Sequence, residues 1–381
     1  MIEHPDACSR QISGLYPSGE PLLAVLTKRT YIVDGERAVP AEEQLPLVAD
    51  PEPDPELPDL LAHDTDLFPY KPATDVVIQG HVYGAQQLRF VASVRVGAYT
   101  KQILVIGDRQ CHLRQNGTIA ISEPAHVDAI PLRYTHAYGG RDSIAEARYG
   151  NVIAQVMSDT VPPGSADLDL ASPYVYPRNS CGRGYLIEPD PEAVDALVLP
   201  NLEDPDDVLS AHRLPVRDPL RWPAMPMPQA TDWLGYGWFP RIAYFGMTPP
   251  YRNADVVPEI ARGFAPDNLL DETQEDTDKA FRATQGASLG LQLPHMRGGE
   301  SVRLERMHQH HEIWTFQLPD ERPRMWTDGR EGRLNETTPV IHTVLIEPDQ
   351  DRLSIVWRGA ARARRPYTDD ELKEMPFRVA W

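Results

Sequence analysis

The sequence predicts a mainly β protein: antiparallel sheets in a sandwich-like arrangement, long irregular Pro- and Gly-rich loops, and a few short helices. Three observations carry this. Proline supplies 38 of 381 residues, well above its usual share of about 5%, and each interior proline removes a helical hydrogen bond and clashes with the preceding turn. Short apolar runs recur towards both ends of the chain, punctuated by Gly, Asn and Asp, which is the pattern of strands joined by tight turns. With 41% hydrophobic residues, 7 Trp and 15 Tyr, the chain also has enough to bury for a packed core, unlike a disordered one. A helical bundle is excluded, and so is a sheet whose every strand is followed by a long helix. Residues 1–381 read as a single β-rich domain.

The first element is the run Leu22–Val33, followed by Asp34-Gly35, a dipeptide that tolerates positive φ and suits a hairpin turn. From Ala41 to Asp66 come nine acids, five prolines and no Lys or Arg. Like charges repel and proline stiffens, so 41–66 reads as an extended surface loop. A solvated connector is the simple reading, and a docking strip for a basic partner the alternative.

Asp75–Glu123 reads as a β-meander built on Val76–Ile78, Leu88–Val96, Gln102–Ile106 and Thr118–Ile121. In the second run, positions 88, 90, 92, 94 and 96 are apolar and 89, 93 and 95 polar, the alternation of a half-buried strand. Gly97-Ala98, Gly107-Asp108 and Asn116-Gly117 supply turns short enough to demand antiparallel pairing. The middle, 133–250, is dense in Pro, Gly and aromatic residues and must be ordered by packing onto a sheet.

A helix is expected over Asp271–Thr284, where acids lead and Lys279 and Arg282 follow, matching the helix dipole. Strands resume at Ser301–Glu305 and Ile313–Leu318, and a hairpin joins Val340–Ile346 to Leu353–Trp357. Thr368 to Glu371 forms a capping box for a last short helix, ended by Pro376.

Charge limits the partners. With 56 acidic against 37 basic residues, the formal charge is −19, which repels phosphate backbones and anionic lipid. Neither nucleic acid nor a membrane is expected as a partner. No run reaches the roughly eighteen apolar residues of a membrane span, and the start of the sequence lacks the basic and apolar regions of a signal peptide. Cys8, Cys111 and Cys181 are too far apart for a metal pair and odd in number. They read as reduced thiols of a cytoplasmic protein.

Few constellations carry chemistry. In Met307-His308-Gln309-His310-His311-Glu312, a strand would place His308, His310 and Glu312 on one face. Those three could hold zinc or iron with an open position, a pattern similar to cupin-type sites. A polar loop is the competing reading. Asp64, Asp66 and Asp75 near His63 and His81 suggest acid/base work but read more simply as structural acids. Cys181 sits beside glycines and Arg183, which could lower a thiol pKa. The cluster Arg358, Arg362, Arg364 and Arg365 is the one basic block. Gly139-Gly140 and Gly298-Gly299 suit turns or close backbone approach. Serine-hydrolase, phosphate-binding and dinucleotide-binding motifs are absent from the sequence, so neither a cofactor nor an enzymatic activity is expected.

A resemblance spans roughly residues 15–360. Its motifs, in order, are Phe68-Pro69-Tyr70-Lys71-Pro72-Ala73-Thr74-Asp75, Val94-Arg95-Val96-Gly97 with Gly107-Asp108-Arg109, Pro131-Leu132-Arg133-Tyr134 and Ala137-Tyr138-Gly139-Gly140-Arg141-Asp142. Tyr176-Pro177-Arg178-Asn179 with Gly182-Arg183-Gly184, Leu199-Pro200-Asn201-Leu202-Glu203-Asp204-Pro205 and Leu293–Glu300, which ends in Gly298-Gly299-Glu300, complete the set. Their order and spacing resemble a bacterial family of unknown function encoded in type VI secretion effector clusters. Its members are regarded as adaptor chaperones that load a toxic effector onto the PAAR-tipped VgrG spike. The resemblance implies a non-catalytic, cytoplasmic chain whose partners are a secreted effector and a PAAR-like or VgrG spike protein. In one motif this chain departs: the family usually reads Asn-Pro-x-Gly-x-Gly where Asn179-Ser180-Cys181-Gly182-Arg183-Gly184 stands here. An adaptor needs aromatic anchors, for which Trp233, Tyr236, Trp238 and Phe239 are the sequence candidates.

Overall fold

A computed structural model describes residues 8–148, 174–217, 219–239, 241, 277–328 and 332–381. Twelve strands build one large, curled, mixed sheet. They are β1 (Ser9–Leu15), β2 (Pro21–Asp34), β3 (Arg37–Pro40), β4 (Thr74–Ile78), β5 (Arg89–Val96), β6 (Tyr99–Ile106), β7 (Leu202–Glu203), β8 (Gln292–Leu293), β9 (Ser301–Glu305), β10 (Ile313–Gln317), β11 (Val340–Glu347) and β12 (Arg352–Arg362). The order across the sheet is β7-β6-β5-β9-β10-β3-β2-β12-β11-β4-β8, with β1 paired to β2 off this path.

The long strand β2 organises the centre. Along one edge it pairs with β12 from Leu22↔Arg362 to Ile32↔Arg352. On the other, β1 takes its first half and β3 its last four residues. Gly35 turns the β2–β3 hairpin at φ +61°, so Asp34-Gly35 acts as its sequence predicts. The β11–β12 hairpin forms as expected, apart from a register shift between Ile341 and Thr343.

The mainly β class with few, short helices stands; the pairing differs from an all-antiparallel plan. Of the expected meander, only β5 and β6 are neighbours in the main sheet. In β5, Phe90, Ala92, Val94 and Val96 are buried while Arg89, Val91 and Arg95 are exposed, so the predicted alternation holds except at Ser93, which is buried, and at Leu88 just before the strand, which is exposed. Strand β4 lies near the opposite end of the sheet, parallel to β11. All five of its residues are buried, and a strand covered on both faces reads as a continuous apolar run, as Val76–Ile78 does. His81–Gln87 leaves the sheet to pair with Val127–Pro131.

The aromatic middle does more than drape over strands. Tyr138, Tyr176, Tyr185, Leu186, Trp222 and Phe239 belong to a second apolar cluster, separate from the one lining the main sheet. Next to it lies α1 (Pro191–Ala196), started by Asp190, whose side chain accepts from Glu192 N. At the other end, α2 (Asp369–Glu374) carries the predicted capping box between Thr368 and Glu371. Of the helix expected over Asp271–Thr284, positions 271–276 lie outside the described residues, and Thr277–Thr284 is a 3-10 helix. Among the described residues no helix is long and apolar enough to cross a membrane.

The acidic segment 41–66 is not simply a solvated loop. Glu52–Pro53 pairs with Leu61–His63, and Asp54, Asp64 and Asp66 turn inward. Asp54 meets Arg133, Asp64 meets Arg241 at 2.7 Å, and Asp66 meets Lys28 at 3.1 Å. Three carboxylates thus strap the segment to three distant cations. Its other acids, Glu42, Glu43, Asp50, Glu52, Glu56 and Asp59, stay exposed.

Candidate functional site

The motif residues fall into two groups. Lys71, Pro72, Thr74 and Asp75 lock β4 into the sheet. Lys71 Nζ donates to Asp75 at 2.7 Å and to Thr343 Oγ1 at 3.2 Å, with both ion-pair side chains fully buried. Asp75 also accepts from Gly286 N, Ala287 N and Gln285 Nε2. Thr74 donates to Ile341 O and accepts from Met296 N. Half-buried Pro72 leads into the strand. Gly298 and Gly299 make a left-handed turn against 318–320, where Glu300 accepts from Arg297 N. Apart from Glu300 Oε2, which is buried without a hydrogen-bond partner, these side chains spend their polar atoms on the fold.

The second group builds a knot beside the second apolar cluster. Tyr138–Gly139 runs parallel to Arg183–Gly184. A Cβ on Gly139 would collide with Asn179 O, and one on Gly140 with Gly182 O, so the two chains touch only because side chains are missing. Gly140 N donates to Asn179 O at 2.8 Å, while Asn179 Nδ2 donates to Tyr134 O and Tyr138 O. The turn therefore forms with Ser180 at the position where the resemblance implies proline. Asn201 Nδ2 donates to Ile106 O and Asp108, and its Oδ1 accepts from Arg183 Nη1 at 2.9 Å. Glu203 holds Arg109 and accepts from Leu209 N. Arg183 Nη2 also donates to His136 Nε2 at 2.9 Å. Burial first, then Arg183, lowers the His136 pKa to about 4, so the imidazole stays neutral at ordinary pH.

This knot forms one wall of a cleft of about 570 Å³. Residues 139–144, 181–186, 193 and 196–198 line it, together with Thr135 and Leu57 of the acidic strap. Two of its apolar lining residues are exposed, Leu57 (41%) and Val198 (53%). The cations of the cleft already have partners: Arg141 pairs with Glu146 at 3.1 Å, and Arg183 is held as above. Glu56 and Asp59, neighbours of Leu57 in the chain, and Asp195 on α1 are exposed but do not line the cleft, and Asp59 accepts from Ser180 Oγ at 3.5 Å. Among the described residues none of the three has a salt-bridge partner.

The expected aromatic anchors lie inside the molecule. Trp233, Trp238 and Phe239 are buried, because the Pro-rich segment folds inward against the glycine knot and 283–287. Trp233 stacks near His63 at 5.1 Å, and Trp238 Nε1 donates to Ser180 Oγ at 3.2 Å. Phe239 lies against Trp222. Half-buried Tyr236 donates to Asp64, with Arg241 4.0 Å over its ring. The exposed apolar side chains of the cleft are instead Leu57 and Val198, whose exposure follows from no local pattern in the sequence.

The His308, His310 and Glu312 triad does not assemble. The segment bends out of strand geometry, so the period-two argument fails there. His308 turns inward against Trp314, with Nε2 at 2.9 Å from Asp351 and Nδ1 accepting from His310 N. Both of its nitrogens are thus engaged, and Glu312 pairs outward with Arg306. Among the described residues no cluster of His, Cys, Asp or Glu could hold a metal ion. Asp64, Asp66 and Asp75 are the structural acids of three buried ion pairs. Burial first, and Asp59, push the Cys181 thiol up rather than down. The arginine cluster disperses: Arg358 is buried against Pro69 O and Tyr70, Arg362 pairs with Glu20, and Arg365 pairs with Glu371.

No curated protein and no solved structure matches this chain. A family model does, over residues 18–358, a span that takes in every motif described above. The chain belongs to the bacterial family described as "Uncharacterized protein conserved in bacteria", DUF2169.

Proposed function

We propose that this protein is a non-catalytic adaptor chaperone that binds a type VI secretion effector in the cytoplasm and helps load it onto the PAAR/VgrG spike. The observation that carries this reading is the cleft at the glycine knot. The family motifs shape its walls, while their own charged groups are consumed by the fold. What remains open to a partner is a cleft of mixed polar and apolar lining in which Leu57 and Val198 are exposed, which suits protein recognition better than bond-breaking chemistry. The long-range field of a −19 chain favours encounter with a basic partner.

Co-expression with the type VI secretion effectors of its source bacterium tests the reading. One of them should co-elute with it in size-exclusion chromatography at low salt and separate progressively as salt rises. Separate elution of all of them at low salt would overturn it.

A further inference from the structure

We propose that the outer face of β6, β5, β9 and β10 docks an acidic, extended segment of a partner protein. This face lies outside the adaptor reading and does not depend on it. The four strands are consecutive neighbours in the main sheet. Their registers set the side chains of the face in rows, because successive residues of a strand point to opposite faces. One row is Thr100, Arg95, Arg303 and Thr315, and the next is Gln102, Ser93, Glu305 and Ile313. Val94, Leu304 and Phe316, at the alternate positions, belong to the core beneath. Arg89 and Val91 continue the outer face along β5, and both are exposed, as is Arg95.

Charge on this face runs opposite to that of the chain. The four strands set Arg89, Arg95 and Arg303 against one carboxylate, Glu305, in a protein of 37 basic and 56 acidic residues. Arg303 Nη2 meets Glu305 Oε1 at 2.8 Å. That guanidinium, together with Ser93, holds the Glu305 carboxyl below its ordinary value. Glu305 is therefore engaged. Arg95 stands directly opposite Arg303, and like charges so placed destabilise a sheet. Among the described residues the Arg95 side chain makes one hydrogen bond, from Nε to Thr100 Oγ1 at 3.3 Å. Neither Arg89 nor Arg95 has a salt-bridge partner among the described residues. The patch ends at β3, where Arg37 stands beside Gln317 and opposite Asp34.

A like-charge pair without internal compensation breaks a local rule of sheet design, and such breaks concentrate at functional positions. Partner carboxylates would supply the missing counter-charge. At about 3.4 Å per residue, Arg89 and Arg95 lie about 20 Å apart along β5, the length of an extended segment of about seven residues. Val91 lies between them, 41% exposed, and Ile313 is 47% exposed two strands away. Apolar contact beside arginine is the composition of a protein interface. At physiological salt charges are screened beyond about 8 Å, so a segment lying on this face responds to its arginines rather than to distant acids. A nucleic-acid strand would instead bring a continuous run of phosphates to a chain of charge −19.

The test uses the full-length protein and rhodamine-labelled probes read by anisotropy: a short peptide of alternating Glu and Val, the same peptide with Gln in place of Glu, and single-stranded oligothymidine. The Glu/Val peptide should bind, and the other two should not. Arg89→Gln/Arg95→Gln should weaken its binding by about tenfold. The melting temperature of that variant should equal or exceed the wild-type value, since no ion pair is lost and the opposition of Arg95 to Arg303 is relieved. Arg10→Gln/Arg114→Gln removes the same charge from two exposed positions outside these strands and should leave binding unchanged. Absence of Glu/Val binding, equal binding of the Gln/Val peptide, or equal losses in the two double variants would overturn the proposal. Oligothymidine bound as tightly as the Glu/Val peptide would also overturn it, in favour of a nucleic-acid surface.

Discussion

Replacing Asp75 by Asn tests the buried pair that fixes β4. The substitution conserves shape and removes one charge. Lys71 Nζ would keep Thr343 Oγ1 at 3.2 Å and the Phe68 ring at 5.4 Å, but would lose its carboxylate at 2.7 Å in a fully buried site. The new amide nitrogen would also face donors, since every group around Asp75 donates to it. Breaking one side of a buried ion pair costs about 3–5 kcal/mol because the partner charge is left uncompensated. An unfolding entropy of about 2.1 cal/mol/K per residue gives roughly 0.8 kcal/mol/K for a chain this long, so the melting temperature should fall by about 4–6 °C. Differential scanning calorimetry reads this directly. Adding Lys71→Met should restore part of the loss by removing the stranded ammonium. A fall below about 1 °C for Asp75→Asn, or a further loss on adding Lys71→Met, would refute the reasoning.

Three more outcomes follow from the geometry. Gly140→Ala places a Cβ against Gly182 O at φ +97° and should leave the protein largely insoluble, whereas Gly19→Ala, at φ +83° with open space around it, should cost about 1 kcal/mol; soluble-fraction yields and urea melts compare them. His136 is held below its ordinary value, at about 4, so the unfolded chain binds its proton first as pH falls. Its stabilising contribution is complete above about pH 6.5 and is lost as pH falls through about 4, so the melting temperature of His136→Gln should fall less than that of the wild type over this window. Zinc at stoichiometric level should leave the melting curve unchanged; a stabilising shift that disappears in His308→Ala would contradict the hydrogen-bonded role of His308.

The local signals in the sequence were those that local physics determines. Alternation in Leu88–Val96 marked β5, positive-φ tolerance marked the turn at Gly35, and Thr368 with Glu371 marked the start of α2. What stayed hidden depends on partners far along the chain. Val77 pairs with Leu345 in the parallel contact of β4 and β11, and no periodicity announces a neighbour so distant. The acids of 41–66 looked solvated because their cations, Lys28, Arg133 and Arg241, are not adjacent in sequence. Trp233, Trp238 and Phe239 looked available because composition cannot tell which side of a Pro-rich segment faces inward. The histidine triad failed because alternation holds only within a strand, and His308 sits in a bend. The glycine motifs were visible, but that they wall one cleft emerges only from the pairing of Tyr138–Gly139 with Arg183–Gly184.

Isothermal titration of the purified protein with the type VI secretion effectors of its source bacterium, at low and at high salt, tests the proposed adaptor role most directly. The account predicts saturable binding to one of them that weakens as salt rises. Absence of binding to any of them at low salt, or binding indifferent to salt, would contradict it.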